Sequence, residues 1–159
     1  MKIKIKSYKK VKSTNDIALK LIKKKITNAT LIITEKQTNG RGRVGKKWIS
    51  KKGNLFISLF FKFDHKKINF KQFAILNAYL LKKVISKIIL KKIKIKWPND
   101  LLYNDQKFCG ILQEVIRFNN LDYLIVGIGL NTNVDPQNKS FKSTSLKNIL
   151  NKKIDNKKI

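Results

Sequence analysis

Acidic side chains are scarce in this chain: nine Asp and Glu stand against 37 Lys and Arg, a formal charge of +28. Such an excess ordinarily points to nucleic acid, acidic lipid or an acidic partner. The cations, however, are nearly all lysines spread from end to end beside abundant Ile and Asn, whereas a nucleic-acid footprint clusters. A general lysine drift is therefore the better reading, with a basic nucleic-acid-binding module kept as the alternative. Arginine is rarer still, present only at 41, 43 and 117. Where lysine is the default cation, an arginine marks a need for planar, forked donors.

Cysteine is nearly absent as well. Cys109 stands alone, which excludes a disulfide framework and a cysteine-based metal site. Long apolar runs are missing: nothing approaches the roughly 18 residues of a membrane span. The opening MKIKIKSYKK also lacks the apolar run of a signal peptide. The expectation is a cytoplasmic, reducing setting. Disorder is excluded by 42% hydrophobic and 9% aromatic residues, and 159 residues suit one domain with an ordinary core.

What is present reads as alternating elements. Residues 3–8 have the period of a strand. STND at 13–16 opens a helix, with Ser13 or Thr14 as its cap and Asp16 at its positive end. Strands are expected at 30–34, 54–63, 93–97, 107–118 and 123–131, the last two joined through Asn119, Asn120 and Asp122. A long helix is expected over 69–91, with Phe70, Phe73, Leu76, Leu80, Val84 and Ile88 on its apolar steps. From Asp135 the apolar residues thin out, and the end reads as frayed. The order predicts a mixed α/β domain whose later strands form an antiparallel meander.

TNGRGRVGKKW, residues 38–48, overlays two phosphate-loop patterns. Gly40, Gly42 and Gly45 fit G-x-G-x-x-G, and 40–46 fit G-x-x-x-x-G-K. Both patterns require a helix next, and the second requires Ser or Thr after its lysine. Here position 47 is Lys and a strand follows. The glycines then serve backbone freedom, and Arg41 and Arg43 direct forked donors at an anionic ligand. A second informative stretch is KWPNDLLYNDQKFCG, 96–110. There Pro98 stops a strand, Asn99 with Asp100 and Asp105 with Gln106 suit turns, and Asp100 lies between Trp97 and Leu101. Lys107 begins an apolar strand, either as a solvated end or as a point charge aimed inward. GIGLNTN, 127–133, ends a strand with small residues, leaving room for a ligand or marking a bulge.

Taken in order, STN at 13–15, Gln37 with GRGRVGKKW at 40–48, KWPND at 96–100, KFCGIL at 107–112 and GIGLNTN at 127–133 resemble the catalytic domain of biotin–protein ligases. The match covers about residues 5–146. It implies an α+β fold, a mixed and largely antiparallel sheet flanked by helices, like class II synthetases. It also implies a catalytic domain over 1–146, followed here by a short basic tail over 147–159; departing from the family, neither an N-terminal DNA-binding domain nor the usual C-terminal barrel is expected, and a truncated, weakly active homologue is a further alternative.

The activity implied is formation of biotinyl-5′-AMP from biotin and MgATP, then transfer to a lysine of a biotin carboxyl carrier protein. ATP and biotin enter as substrates, Mg2+ comes with ATP, and no protein metal site is expected. Ser13, Thr14, Asn15 and Gln37 would bind biotin. Gly40, Arg41, Gly42, Arg43 and Trp48 belong to the closing loop. Lys107, Arg43 and Asp100 would be catalytic, Asp100 standing beside the acceptor lysine, with Asn99, Gly110 and Asn131 lining the site. Cys109 and His65 need no role beyond packing and surface. Neither DNA nor membrane is expected as a partner, and a homodimer stays open. The related lipoate and octanoate ligases are the runner-up. Lys46 stands where the family often has arginine, and Val44 where some members carry a further base.

Overall fold

A computed structural model describes residues 2–64, 66, 69–137 and 141–159; His65 lies outside them. The alternating N-terminal residues form β1 (Lys4–Tyr8), and helix α1 (Thr14–Lys23) carries the chain over to β2 (Thr30–Thr34), which pairs with β1 in parallel. All later pairings are antiparallel: β3 (Leu55–Lys62), β4 (Lys94–Lys96), β5 (Asp100–Tyr103), β6 (Gln106–Phe118) and β7 (Leu121–Leu130) complete one seven-stranded sheet of order β1-β2-β3-β7-β6-β5-β4. The expected α+β architecture is the one found. Two tight hairpins build its right half. Asn104 and Asp105 turn β5 into β6, and Asn119 and Asn120 turn β6 into β7, all four at positive φ. Asn and Asp tolerate that conformation best after glycine.

Alternation along β7 separates the two faces. Tyr123 and Ile125 pack with Ile32 and Phe60 under Ala18 and Ile22 of α1. Leu124 and Val126 face the other way, with Ile111, against Ala78 of helix α2 (Phe70–Ser86). α2 begins with a reciprocal cap: Asn69 accepts from the Gln72 amide at 2.9 Å, while the Gln72 side chain accepts from the Asn69 amide at 3.0 Å. It is shorter than the expected 69–91, and its exposed row is Leu76, Leu80 and Val84, with Ile88 exposed just beyond its end. Ala78 and Ile85 are the residues that it buries.

Two further expectations are corrected. Asp100 lies in a strand, not a turn, since the turn at Trp97–Asn99 precedes it and Lys96 pairs with Asp100. The C-terminal segment does not fray. Leu146 and Ile149 of α3 (Leu146–Leu150) enter the same core as Ile85, Leu101, Phe108, Cys109 and Leu130. Ile154 beyond it hydrogen-bonds through its amide and carbonyl to the Asn133 side chain. Among the described residues no helix is long and apolar enough to cross a membrane.

Candidate active site

On the α1 face of the sheet lies an open cavity of about 760 Å³. Its walls are the first residues of α1, the 40–48 loop, the turn before β5, the start of β6 and the glycines of β7. Ser13, Thr14, Asn15, Gln37, Arg41, Gly42, Arg43, Trp48, Asn99, Asp100, Lys107 and Gly110 all line it, so twelve of the fourteen residues expected from sequence come together.

The other two do not line the cavity. Asn131 is buried, with its amide bonded to the Phe108 carbonyl at 2.8 Å and its side chain donating to the Thr144 carbonyl at 3.1 Å. It fastens the 144–147 segment to the sheet and meets no ligand space. Gly40 is sterically required: a Cβ there would lie 2.6 Å from the Ser50 hydroxyl oxygen and from the Trp48 carbonyl.

The α1 wall is braced from a distance. Ser13 is the N-cap, but its hydroxyl makes no cap bond. Instead the Thr14 amide and hydroxyl donate to Gln37 Oε1 at 2.8 and 3.1 Å, and Gln37 Nε2 passes the chain on to Ser50 at 3.0 Å. A side chain beyond β2 thus satisfies an amide that a helix start leaves open. Asn15 is committed as well: its Nδ2 donates to Glu114 Oε2 at 2.6 Å, and its Oδ1 accepts from the Ser58 hydroxyl.

The glycine loop is a small hairpin. Arg41 bridges Lys47, the Gly42 amide donates to the Lys46 carbonyl, and the Trp48 amide donates to the Gly40 carbonyl. Val44 and Gly45 form its tip at φ 51° and 69°. Glycine takes that backbone freely; a β-branched valine takes it under strain.

The two arginines differ in use. Arg41 places Nη1 and Nη2 at 2.7 and 2.8 Å from the two oxygens of Glu114, and Nε 3.0 Å from Asp16. Burial alone would lower its affinity for the proton, but Glu114 and Asp16 outweigh that and hold it above its ordinary value. The expectation that both forks face a ligand is corrected for Arg41, whose fork is taken by the protein. Arg43 lines the cavity from the exposed hairpin and gives Nη1 to Asn99 Oδ1 at 3.2 Å.

Across the cavity Lys107 and Asp100 form an ion pair at 2.8 Å with both side chains largely buried. The β5–β6 hairpin puts them on one face. Lys107 Nζ lies 5.2 Å from the Trp48 ring and 5.1 Å from the Phe141 ring, a cation between two aromatic faces. The other Asp100 oxygen, Oδ1, is buried and meets no donor among the described residues, a costly arrangement for a carboxylate. The Cys109 thiol beside them is raised well above the usual range, chiefly by burial, so it stays protonated and packs as a small apolar group.

Gly127 and Gly129, from the stretch expected to leave room for a ligand, also line the cavity, as does Phe141, which the sequence reading missed. Gly129 and Gly110 pair across β7 and β6 and accept the Trp48 ring, while Gly127 accepts Asn15. The room expected for a ligand at GIGLN is filled by the chain's own side chains. Phe141 had no signal, because only the pairing of Lys107 with Ser143 brings its segment to the site.

Comparison with known proteins gives this geometry a family. A model of the Biotin/lipoate A/B protein ligase family matches residues 7–131. The chain is 34% identical to the Bifunctional ligase/repressor BirA of Bacillus subtilis, over 90% of this chain and 46% of that protein. It is 31% identical to the Biotin--[acetyl-CoA-carboxylase] ligase of Paracoccus denitrificans, over 75% of this chain and 50% of that one. The structure of the biotin protein ligase from Aquifex aeolicus in complex with biotin and ATP superposes with a TM-score of 0.82 at 30% identity, over 98% of this chain and 64% of that chain. The chain spans about half the length of these curated relatives. With most of its residues matched in sequence and nearly all in fold, the chain belongs to the Biotin/lipoate A/B protein ligase family.

Proposed function

We propose that this protein is a biotin–protein ligase, which activates biotin with ATP and passes the biotinyl group to a lysine of a carrier protein. The observation that carries the reading is the convergence of Arg43 and Lys107 on one cavity that also holds Trp48 and the opening turn of α1. The Aquifex neighbour binds biotin and ATP, and the Paracoccus relative is named for acetyl-CoA carboxylase. The ligase role, rather than the repressor role in the Bacillus relative's name, is what the cavity supports.

In the first step a biotin carboxylate oxygen attacks the α-phosphorus of ATP, and pyrophosphate leaves. Two anions must meet, so the protein's task is to supply cations and position, not a proton relay. Ser13, Thr14, Asn15 and Gln37 form the end of the cavity suited to the ureido group, and the Trp48 ring offers an apolar wall. Gly42 and Arg43 cover the phosphate, Asn99 steadies Arg43, and Lys107 meets the carboxylate and phosphate. Mg2+ arrives with ATP. A phosphate beside Lys107 competes with Asp100 for the ammonium and releases that carboxylate. In the second step the neutral amine of the carrier lysine attacks the acyl carbon, AMP leaves, and Asp100 orients the amine and receives its proton. The hairpin keeps water from the anhydride meanwhile. The setting proposed is cytoplasmic, with a carrier protein as partner and neither DNA nor membrane required.

The test is incubation with biotin, MgATP and an apo biotin carboxyl carrier domain. Labelling of the carrier lysine is expected, and Lys107→Ala should lower adenylate formation by about 100-fold or more. Pyrophosphate exchange driven by lipoate in place of biotin would move the protein to the sister branch. A folded protein that neither exchanges pyrophosphate nor labels the carrier defeats the proposal.

A further inference from the structure

Acids are rare here, yet two of the nine converge on a single arginine. Glu114, on β6, takes both Nη groups of Arg41 and also the Asn15 amide group, at 2.7, 2.8 and 2.6 Å. A carboxylate only accepts hydrogen bonds. It therefore dictates which end of the Asn15 amide turns towards it: Nδ2 faces Glu114 and the Leu112 carbonyl, and Oδ1 is left for Ser58, above Gly127. Arg41, for its part, is a base residue of the hairpin, bridged to Lys47 and two residues before Arg43. Glu114 lies outside the cavity lining, so it acts on the site only through these neighbours.

We propose that Glu114 is the positioning residue of the site, fixing the amide orientation of Asn15 on the α1 wall and the seat of the 40–48 hairpin with one carboxylate. Asp16 meets the same arginine at Nε, while both Nη groups are held by Glu114, so the two acids do not duplicate each other. The side chains of Glu114 and Arg41 are 26% and 35% exposed. Solvent screens a pair at that depth, so its contribution is geometric and global stability should change little.

Glu114→Gln keeps the size, removes the charge and presents an NH2 group to donors. Its effects are read by hydrogen exchange of the hairpin amides of Gly42, Lys46 and Trp48 in the ligand-free protein, and by calorimetric titration with d-biotin. Exchange over 40–48 is expected to quicken about tenfold, and biotin affinity to fall about tenfold, with the melting temperature within a few degrees of the parent. Loss of a merely structural contact would lower the melting temperature and leave exchange in the hairpin and affinity, in the folded protein, unchanged; that result overturns the proposal. Glu114→Asp, which keeps the charge and withdraws it by one methylene, is the second variant should the first not fold, and must show both changes in smaller measure. The affinity arm rests on the biotin reading. If the parent protein binds no biotin, that reading fails, while hairpin exchange in the variants still decides the role of Glu114.

Discussion

One methyl group at Gly129 has no room beside the Trp48 ring. A Cβ there would lie 2.3 Å from Trp48 Cε2 and 2.4 Å from its Nε1, so the indole has to leave its seat against β7. Trp97, the second tryptophan, is already 74% exposed. Emission characteristic of a shielded indole thus comes from Trp48, and Gly129→Ala is expected to shift the fluorescence maximum to the red. The cost in stability should be about 1–3 kcal/mol, the range for overpacking. An unshifted spectrum would mean that the ring does not rest on this strand. The same residues show what a sequence can and cannot disclose. GIGLN announces missing side chains at a strand end but not what fills the space, because Asn15 and Trp48 come from distant segments. The loop likewise cannot tell Arg41 from Arg43. The difference lies in Asp16 and Glu114, which only the fold brings under Arg41.

At the scale of elements, turns and caps were readable because their causes are local: Asn119 with Asn120 supplies the positive φ of a tight hairpin, and the Asn69–Gln72 pair starts α2. The buried side of α2 was not readable. Its apolar residues surround the axis, so periodicity offers more than one stripe, and the row Leu76, Leu80, Val84, Ile88 turns out exposed. Ala78 faces the sheet against Ile111, Leu124 and Val126, and Ile85 against Leu101, Phe108 and Cys109, which only packing reveals. The C-terminal segment was lost for a similar reason: five residues of α3 carry too weak a local signal, and Leu146 and Ile149 are held by the groove between α2 and the sheet. A pair of truncations separates the two sides of α2. Ile85→Ala should cost about 2–5 kcal/mol by opening a core cavity, whereas Leu80→Ala should stay near 0.5 kcal/mol, as exposed positions do. Urea denaturation with an unchanged m-value measures both, and a larger loss at Leu80 would show that the outer row is covered in solution.

For the whole molecule the charge is a stability term even where it carries no function. With 37 cations and nine acids, most lysines have no acid to pair with. Compacting a chain of charge +28 brings like charges together more than the expanded unfolded state does. Salt acts on both sides of this balance. It weakens ion pairs such as Arg41 with Glu114 and Asp16, Lys107 with Asp100 and Lys94 with Asp105, and it screens the many repulsions. The first two groups are partly buried and screened least, while Lys94 and Asp105 are exposed and contribute little. Repulsion between exposed lysines acts over distances comparable to the Debye length, which falls from about 10 Å at 0.1 M to about 3 Å at 1 M salt. The repulsive term therefore loses more than the attractive one. Raising sodium chloride from about 0.05 to 0.5 M should lift the melting temperature by several degrees, on the order of 1 kcal/mol for a domain of this size. A thermal melt followed by circular dichroism measures it. A fall in melting temperature with salt would mean that the acids, few as they are, sit where they outweigh the lysines.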